Sequence, residues 1–438
     1  MLTKIDYKDI YLNILSILII IYPISIVFSN FLTNFIVYFC AISMFALITY
    51  EKNFKIFKNK YFIIFILFCT YLTLRSLALR FNEITYIFDR HVYHFNDSLN
   101  VNYLISLKSS ITLIRYLLFI LTIKFLIENK ENFLNLFTKI YLTFFLFIIL
   151  DSYIQYFFNT NLFGMDSTNN RVSGLFGKDN LVIGSYTVRF MYLLIALILL
   201  IKINNYKIYI SIILITGTLL TFLSGERASF ALAILGLVFF CINTNIFKAK
   251  MIFLYSFVGI VFVFLLIQFN HKSMARFNQT TNDLKTADNI IYFSKGHESH
   301  YKTAIKMFKN NIFFGQGANT FRFVCGRKEF NSGIKSCSTH PHNIYIQLLA
   351  ETGIVGLVFI SYFFLIVFKI IIQNVLRIAK NDKNILSNYQ ICLINCLVIN
   401  FWPIIPTGNF FSSFLGNMII FSIAFLIINE KESLNEPN

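Results

Sequence analysis

The sequence predicts an all-α, polytopic integral membrane protein of about twelve transmembrane helices (ten to twelve), with one large periplasmic loop between the ninth and the tenth. Three observations carry that reading. The 438 residues are 57% hydrophobic and only 13% charged, which leaves too little polar surface to cover a body in water. Apolar runs near the ~20 residues needed to cross a bilayer recur along the whole length. Lys and Arg are shared unevenly between alternate connecting segments, as the positive-inside rule requires.

The runs fall near 10–28, 32–50, 61–79, 103–123, 133–157, 181–201, 207–223, 228–244, 251–269, 344–372, 389–405 and 409–428. The pairs at 207/228 and 389/409 are short and closely joined, hence the range in the count. With a cytoplasmic N-terminus, the inner segments hold 18 Lys/Arg, and the short outer loops hold only Arg80, Arg90, Arg171, Lys178 and Arg227. This divides the chain into helices one to nine (1–270), a large outer loop (271–342), helices ten to twelve (343–429) and a cytoplasmic tail (430–438), with both termini cytoplasmic. The formal net charge of +17 would suggest nucleic acid in a soluble protein. Here about half of it is topological bias, and no nucleic-acid partner is expected.

Long loops without a role are uncommon, so chemistry is sought in 271–342. The loop carries eleven Lys/Arg against four Asp/Glu, and five of the seven histidines: His271, His297, His300, His340 and His342. Cys325 and Cys337 lie in it too, and an oxidising exterior would let them pair as a disulfide. Its sharpest motif is His340-Pro341-His342-Asn343, followed by Gln347, Glu351, Gly353 and Gly356. Pro341 suits the first position of a helix, which would place His342 in the first turn, where the helix terminus disfavours an imidazolium. A neutral His342 suits a general base. The competing reading is an interfacial histidine bonded to a loop carbonyl. Asn343, Gln347 and Glu351 would form a polar stripe facing the protein interior, and Gly353 and Gly356 would admit a neighbouring helix.

Elsewhere, Ser224-Gly225-Glu226-Arg227-Ala228-Ser229 sets a charged couple on a tight outer turn. Arg227 there can bind phosphate bidentately, or pair with Glu226 to close the turn. Arg75, Arg115 and Arg189 lie within predicted spans, with Asp151 as a partner for them, and such charges must face a paired or wet interior. Arg75, near a span end, is expected to snorkel to the headgroups. The segment 301–308 is amphipathic and is expected to lie on the outer membrane surface. The His297/His300 and His340/His342 spacings lack a zinc framework, so no metal is expected. No Gly-rich phosphate loop supports ATP-driven transport.

These residues resemble the O-antigen ligase/polymerase superfamily of bacterial polysaccharide assembly. The resemblance covers 165–360: Arg171-Val-Ser-Gly-Leu-Phe-Gly with Gly184-Ser-Tyr186, Ser224-Gly-Glu-Arg227-Ala-Ser, Asn311-Ile-Phe-Phe-Gly315-Gln-Gly317, and His340-Pro-His342-Asn343 with Gly353 and Gly356. It implies a cofactor- and metal-independent glycosyltransferase of the bacterial inner membrane with a periplasmic active face. The implied donor is an undecaprenyl diphosphate-linked glycan, and the acceptor a lipid A core (ligase) or a lipid-linked repeat (polymerase). It also implies His342 as catalytic base and Arg171 and Arg227 at the diphosphate, with Arg189, Arg322 and His297 as further diphosphate-binding candidates and Glu226, His340, Asn343 and His300 in support. Where many members carry a loop arginine this chain has Gly296-His297, so His297, Arg276 or Arg322 would supply that cation. A flippase of lipid-linked glycans would call for internal repeats and Gly/Pro-broken spans, which the sequence does not display.

Overall fold

The computed structural model describes residues 7–79, 83–88, 91–96, 101–168, 171–178, 180–286, 294–333, 336–380 and 386–426. Helices dominate because a chain this apolar must satisfy its backbone groups internally. The helices are α1 (Tyr7–Phe28), α2 (Asn30–Tyr50), α3 (Lys60–Leu77), α4 (Val101–Ile111), α5 (Ile114–Asn129), α6 (Phe133–Phe158), α7 (Ile183–Leu200), α8 (Tyr206–Leu223), α9 (Arg227–Asn243), α10 (Ala249–Phe269), α11 (His271–Thr286), α12 (Lys295–Asn310), α13 (Phe321–Val324), α14 (Ile344–Ala379), α15 (Asn388–Phe401) and α16 (Ser413–Leu426).

Each of the twelve apolar runs is helical. Among the described residues, eight helices are long and apolar enough to cross a membrane, with α4 and α5 counted as one; α9, α15 and α16 are shorter, and α10 meets α11 at a bend of 96°. The protein is a multi-helix membrane protein. One element departs from the helical reading: β1 (Glu83–Phe88) pairs antiparallel with β2 (His91–Asn96), from Glu83↔Asn96 to Phe88↔His91. The tail 430–438 lies outside the described residues.

The centre of the bundle is α7, buried along almost its whole length and packed on α6, α8, α9, α15 and α16. Large side chains such as Phe31, Phe253 and Phe269 are exposed on outer helices, which hydrocarbon tolerates and water would not. A smaller apolar cluster of Ala304, Met307, Phe321, Val324, Cys325, Phe330 and Ala350 ties α12 and α13 to the start of α14. The Cys325–Cys337 disulfide joins it, with Cα atoms 5.2 Å apart. The amphipathic segment 301–308 buries Tyr301 and Ala304 of its apolar face against protein and leaves Ile305 of the same face exposed.

The sharpest structural feature lies in α14, which is 36 residues long and breaks at Gly353 (φ 65°, ψ −159°). The break frees backbone groups, and the chain at 312–317 takes them up. Ile354 N–H donates to Ile312 O (2.9 Å), Gln316 N–H to Ala350 O (3.0 Å) and Gly317 N–H to Glu351 O (2.7 Å). From α3, the Tyr71 hydroxyl donates to Thr352 O (2.8 Å) and Arg75 Nη2 to Gly315 O (2.7 Å). Arg75 thus binds carbonyls of the 312–317 segment rather than snorkelling. Gly353 does not serve to admit a neighbouring helix, since a Cβ there would sit 2.3 Å from Phe313 O. Gly315 faces the same limit, 2.4 Å from the carbonyl carbon of Glu351.

The stripe on α14 faces inward, as its polarity demands. Glu351 accepts from Phe321 N–H (2.7 Å), Asn319 N–H (3.1 Å) and Gln347 Nε2 (3.0 Å). Gln347 Nε2 also donates to Asn409 Oδ1 (2.6 Å), and Asn409 Nδ2 to Asn319 Oδ1 (3.0 Å). A buried carboxylate with this many donors is satisfied; one with fewer would cost several kcal/mol. Gly353→Ala is expected to destabilise the fold by about 1–3 kcal/mol or more, since it combines a left-handed φ with a steric clash. A thermal melt of purified protein checks this, and an unchanged midpoint would contradict it.

Candidate functional site

Two groups of ionisable side chains stand out. The first surrounds the turn between α8 and α9. Gly225 takes φ +70° there, and Glu226 reaches across to the start of α7, where its carboxylate accepts from Gly184 N–H (2.7 Å) and Ser185 N–H (3.1 Å). Ser229 Oγ donates to it as well (3.0 Å). A carboxylate at a helix N-terminus satisfies backbone donors that have no partner within the helix. Burial still raises its pKa, against the pull of Arg171 and those donors. Glu226 therefore does not pair with Arg227 to close the turn, because α7 holds it.

Three guanidinium groups line this turn. Arg171 follows the loop after α6, whose path is set by Asp151, accepting from Leu162 N–H (3.0 Å), and Gln155, accepting from Ser173 N–H (2.9 Å). Arg171 Nη2 donates to Leu181 O (3.0 Å). Arg276 on α11 donates from Nε and Nη2 to Gly225 O (2.9 and 2.8 Å) and from Nη1 to Gln279. Arg227 Nη1 lies 2.8 Å from Asp283 Oδ2, also on α11. Burial lowers the pKa of Arg276 to about 10, with Arg227 and Arg171 pushing the same way. Burial likewise lowers that of Arg171, opposed by Glu226 and assisted by Arg227. Burial is the larger cause for both, and the crowding of guanidinium groups adds to it; a cluster of this kind suits an anion.

The second group is made of histidines. Rings of His340, His297 and His300 lie 4.2, 5.2 and 5.3 Å from that of His342, centre to centre. His297 and His300 come from the first turns of α12, and His340 and His342 from the segment before α14. Helix α14 begins at Ile344, not at Pro341. The reason is Asn343, whose side chain accepts from Tyr345 and Ile346 N–H (2.9 and 3.1 Å) and donates to Pro403 O (2.7 Å). An Asn at this position is a strong N-cap. His342 consequently precedes the helix, in a left-handed conformation (φ 63°), with its carbonyl bonded by Thr407 N–H (2.8 Å). Ser338 Oγ lies 3.4 Å from its Nε2.

Burial holds His342 neutral, and the neighbouring His340, His297 and His300 add to the effect. Burial also lowers His340, to about 4, against the Thr407 carbonyl 3.2 Å from its Nε2. Helix-terminus electrostatics was the expected cause; desolvation is the larger one. Among the described residues no set of three or more His, Cys, Asp or Glu has the arrangement of a metal centre.

The remaining candidates separate. Arg322 sits beside His340 and Glu351, with the histidines rather than the arginines. Arg189 is 3% exposed and donates to Ser185 Oγ (2.5 Å), one turn below the Glu226 carboxylate. Arg115 binds Tyr38, Tyr116 and Asn34, so the span arginines do not converge, and Asp151 serves the loop at 161–162 instead of an arginine.

Sequence reasoning missed Asp283, and it missed the segment 403–412 that meets the histidines. Thr407 touches His340 and His342, and Phe414, where α16 begins, packs on Phe176 in the motif of Arg171 (6.1 Å). The signal was present as Pro403 and Pro406 between two short apolar runs, which mark irregular backbone.

No curated protein matches the chain. A family model does match residues 210–361, the stretch that holds Arg227, Arg276, Asp283, all four clustered histidines and the broken start of α14. That model describes the O-Antigen ligase family (Wzy_C), and the chain resembles the O-antigen ligase/polymerase superfamily.

Proposed function

We propose that the chain is a membrane glycosyltransferase of the O-antigen ligase type, moving a glycan from a polyprenyl diphosphate carrier to a hydroxyl of a lipid A core sugar at the periplasmic face. The observation that carries this reading is the gathering of three guanidinium groups around the α8–α9 turn, on Arg171, Arg227 and Arg276, in a chain that also holds an imidazole, on His342, kept neutral by burial. A fork of N–H donors suits a phosphate, and clustered cations stabilise charge that grows on a leaving diphosphate. His342 takes the proton of the acceptor hydroxyl as its oxygen attacks the sugar C1. The new C1–O bond forms, the bond from C1 to the carrier diphosphate breaks, and the diphosphate leaves with the electron pair.

The other residues support these two roles. Arg276 supplies the cation that Gly296-His297 does not, from a different helix. His297, His300 and His340 wall the base and keep it desolvated, and Arg322 shares that wall. Asn343 sets the backbone that presents His342. Glu226 and Arg189 fix the first turns of α7 and thereby the floor under the arginines.

His342→Ala is expected to reduce transfer by about 10²- to 10⁴-fold while the protein still inserts. A wild-type glycan profile from that variant would sink the assignment. Because the folded-state pKa of His342 is lowered, its base form persists as pH falls through the ordinary histidine range. The acid limb of kcat/KM should therefore lie below about pH 5, and a limb centred near about 6.5 would point to another base. Arg227→Lys keeps the charge and loses the fork, so donor use should fall roughly tenfold or more, measured as kcat/KM with purified protein and no added nucleotide. Lipopolysaccharide from a strain lacking the protein should carry no O-chain; a core bearing a single repeat would identify a polymerase instead.

A further inference from the structure

Asp283 stands at Arg227, one of the three arginines around the α8–α9 turn. Its Oδ2 meets Nη1 of Arg227 at 2.8 Å, with the two side chains 34% and 36% exposed. Seven residues separate it from Arg276, two turns of α11, so both project from one side of that helix onto the α8–α9 turn.

The three arginines differ in what they hold. Arg171 and Arg276 bind carbonyls of Leu181 and Gly225, which cannot leave without moving backbone. Glu226 is fixed by donors on α7 and α9. Asp283 is different. It is a short side chain at the end of one ion pair, using one nitrogen of a fork built for two contacts.

From this we infer that Asp283 is a specificity-determining counter-ion: it occupies the anion position on Arg227 in the absence of donor, and the donor's diphosphate displaces it by taking both fork nitrogens. The inference rests on the diphosphate reading above. Its consequence is discrimination. An anion with a single weak contact does not outcompete the resident carboxylate, whereas a diphosphate spanning Arg227 and its two neighbours does, so a lipid monophosphate is disfavoured against the diphosphate-linked donor.

The test uses the full-length protein in detergent and inorganic pyrophosphate as probe, titrated calorimetrically. Asp283→Asn should bind pyrophosphate roughly two- to five-fold more tightly than wild type, the range expected for removing one partly exposed competing ion pair. Asp283→Glu should stay near wild type, and Arg227→Ala should bind most weakly. The preference for pyrophosphate over phosphate, measured on the same samples and so independent of the folded fraction, should narrow in Asp283→Asn. Equal or weaker binding by Asp283→Asn, with Arg227→Ala still impaired, would overturn the displacement and leave Asp283 as a strut. Equal binding by wild type and Arg227→Ala would overturn the diphosphate reading, and this inference with it.

Discussion

A helix broken at Gly353 leaves backbone groups that hydrocarbon cannot satisfy, and the way this protein satisfies them organises the functional end of the molecule. The chain at 312–317 lies along the break and exchanges hydrogen bonds with it, while Tyr71 and Arg75 of α3 close the remaining acceptors. One turn above, Glu351 collects the N–H groups of Asn319 and Phe321. The loop between α10 and α14 is thereby bolted to a transmembrane helix at several points. What it carries, α12 with His297 and His300, is held against the segment of His340 and His342. The disulfide and the small apolar cluster under α12 complete the joint.

The two ionisable groups use burial in opposite senses. Around His342, desolvation removes charge, and each imidazole penalises a proton on the next. Around Arg227, guanidinium groups remain charged at neutral pH however close they lie, so crowding stores a demand for an anion instead. The segment 403–412 is bonded to the histidines, and Phe414 after it packs on Phe176.

Much of this was legible along the chain. The apolar runs, Arg227 on its turn, the His340-Pro341-His342-Asn343 motif and the inward-facing stripe at Gln347 and Glu351 all follow from local composition or i, i+4 spacing, whereas Arg171 stood out by resemblance alone. Where the local reading failed, a longer-range partner outcompeted the nearby one. Glu226 went to the N-terminus of α7 rather than to the adjacent Arg227, and Asp151 went to a loop rather than to an arginine. Asn343 took the cap that Pro341 was expected to begin. Part of the apolar face of α12, at Tyr301 and Ala304, packs on protein, and apolar periodicity is the same for protein and for lipid.

The amino-acid sequence alone determined that this is a multi-helix membrane protein, and which residue types stand near the ends of its helices, because hydropathy and charge act residue by residue. Only the tertiary structure decided which charges meet. Arg276 and Asp283 are unremarkable on a polar helix until the bend after α10 lays that helix over the Ser224–Arg227 turn. Electrostatic coupling and desolvation depend on distances through space, and no periodicity along the chain encodes them.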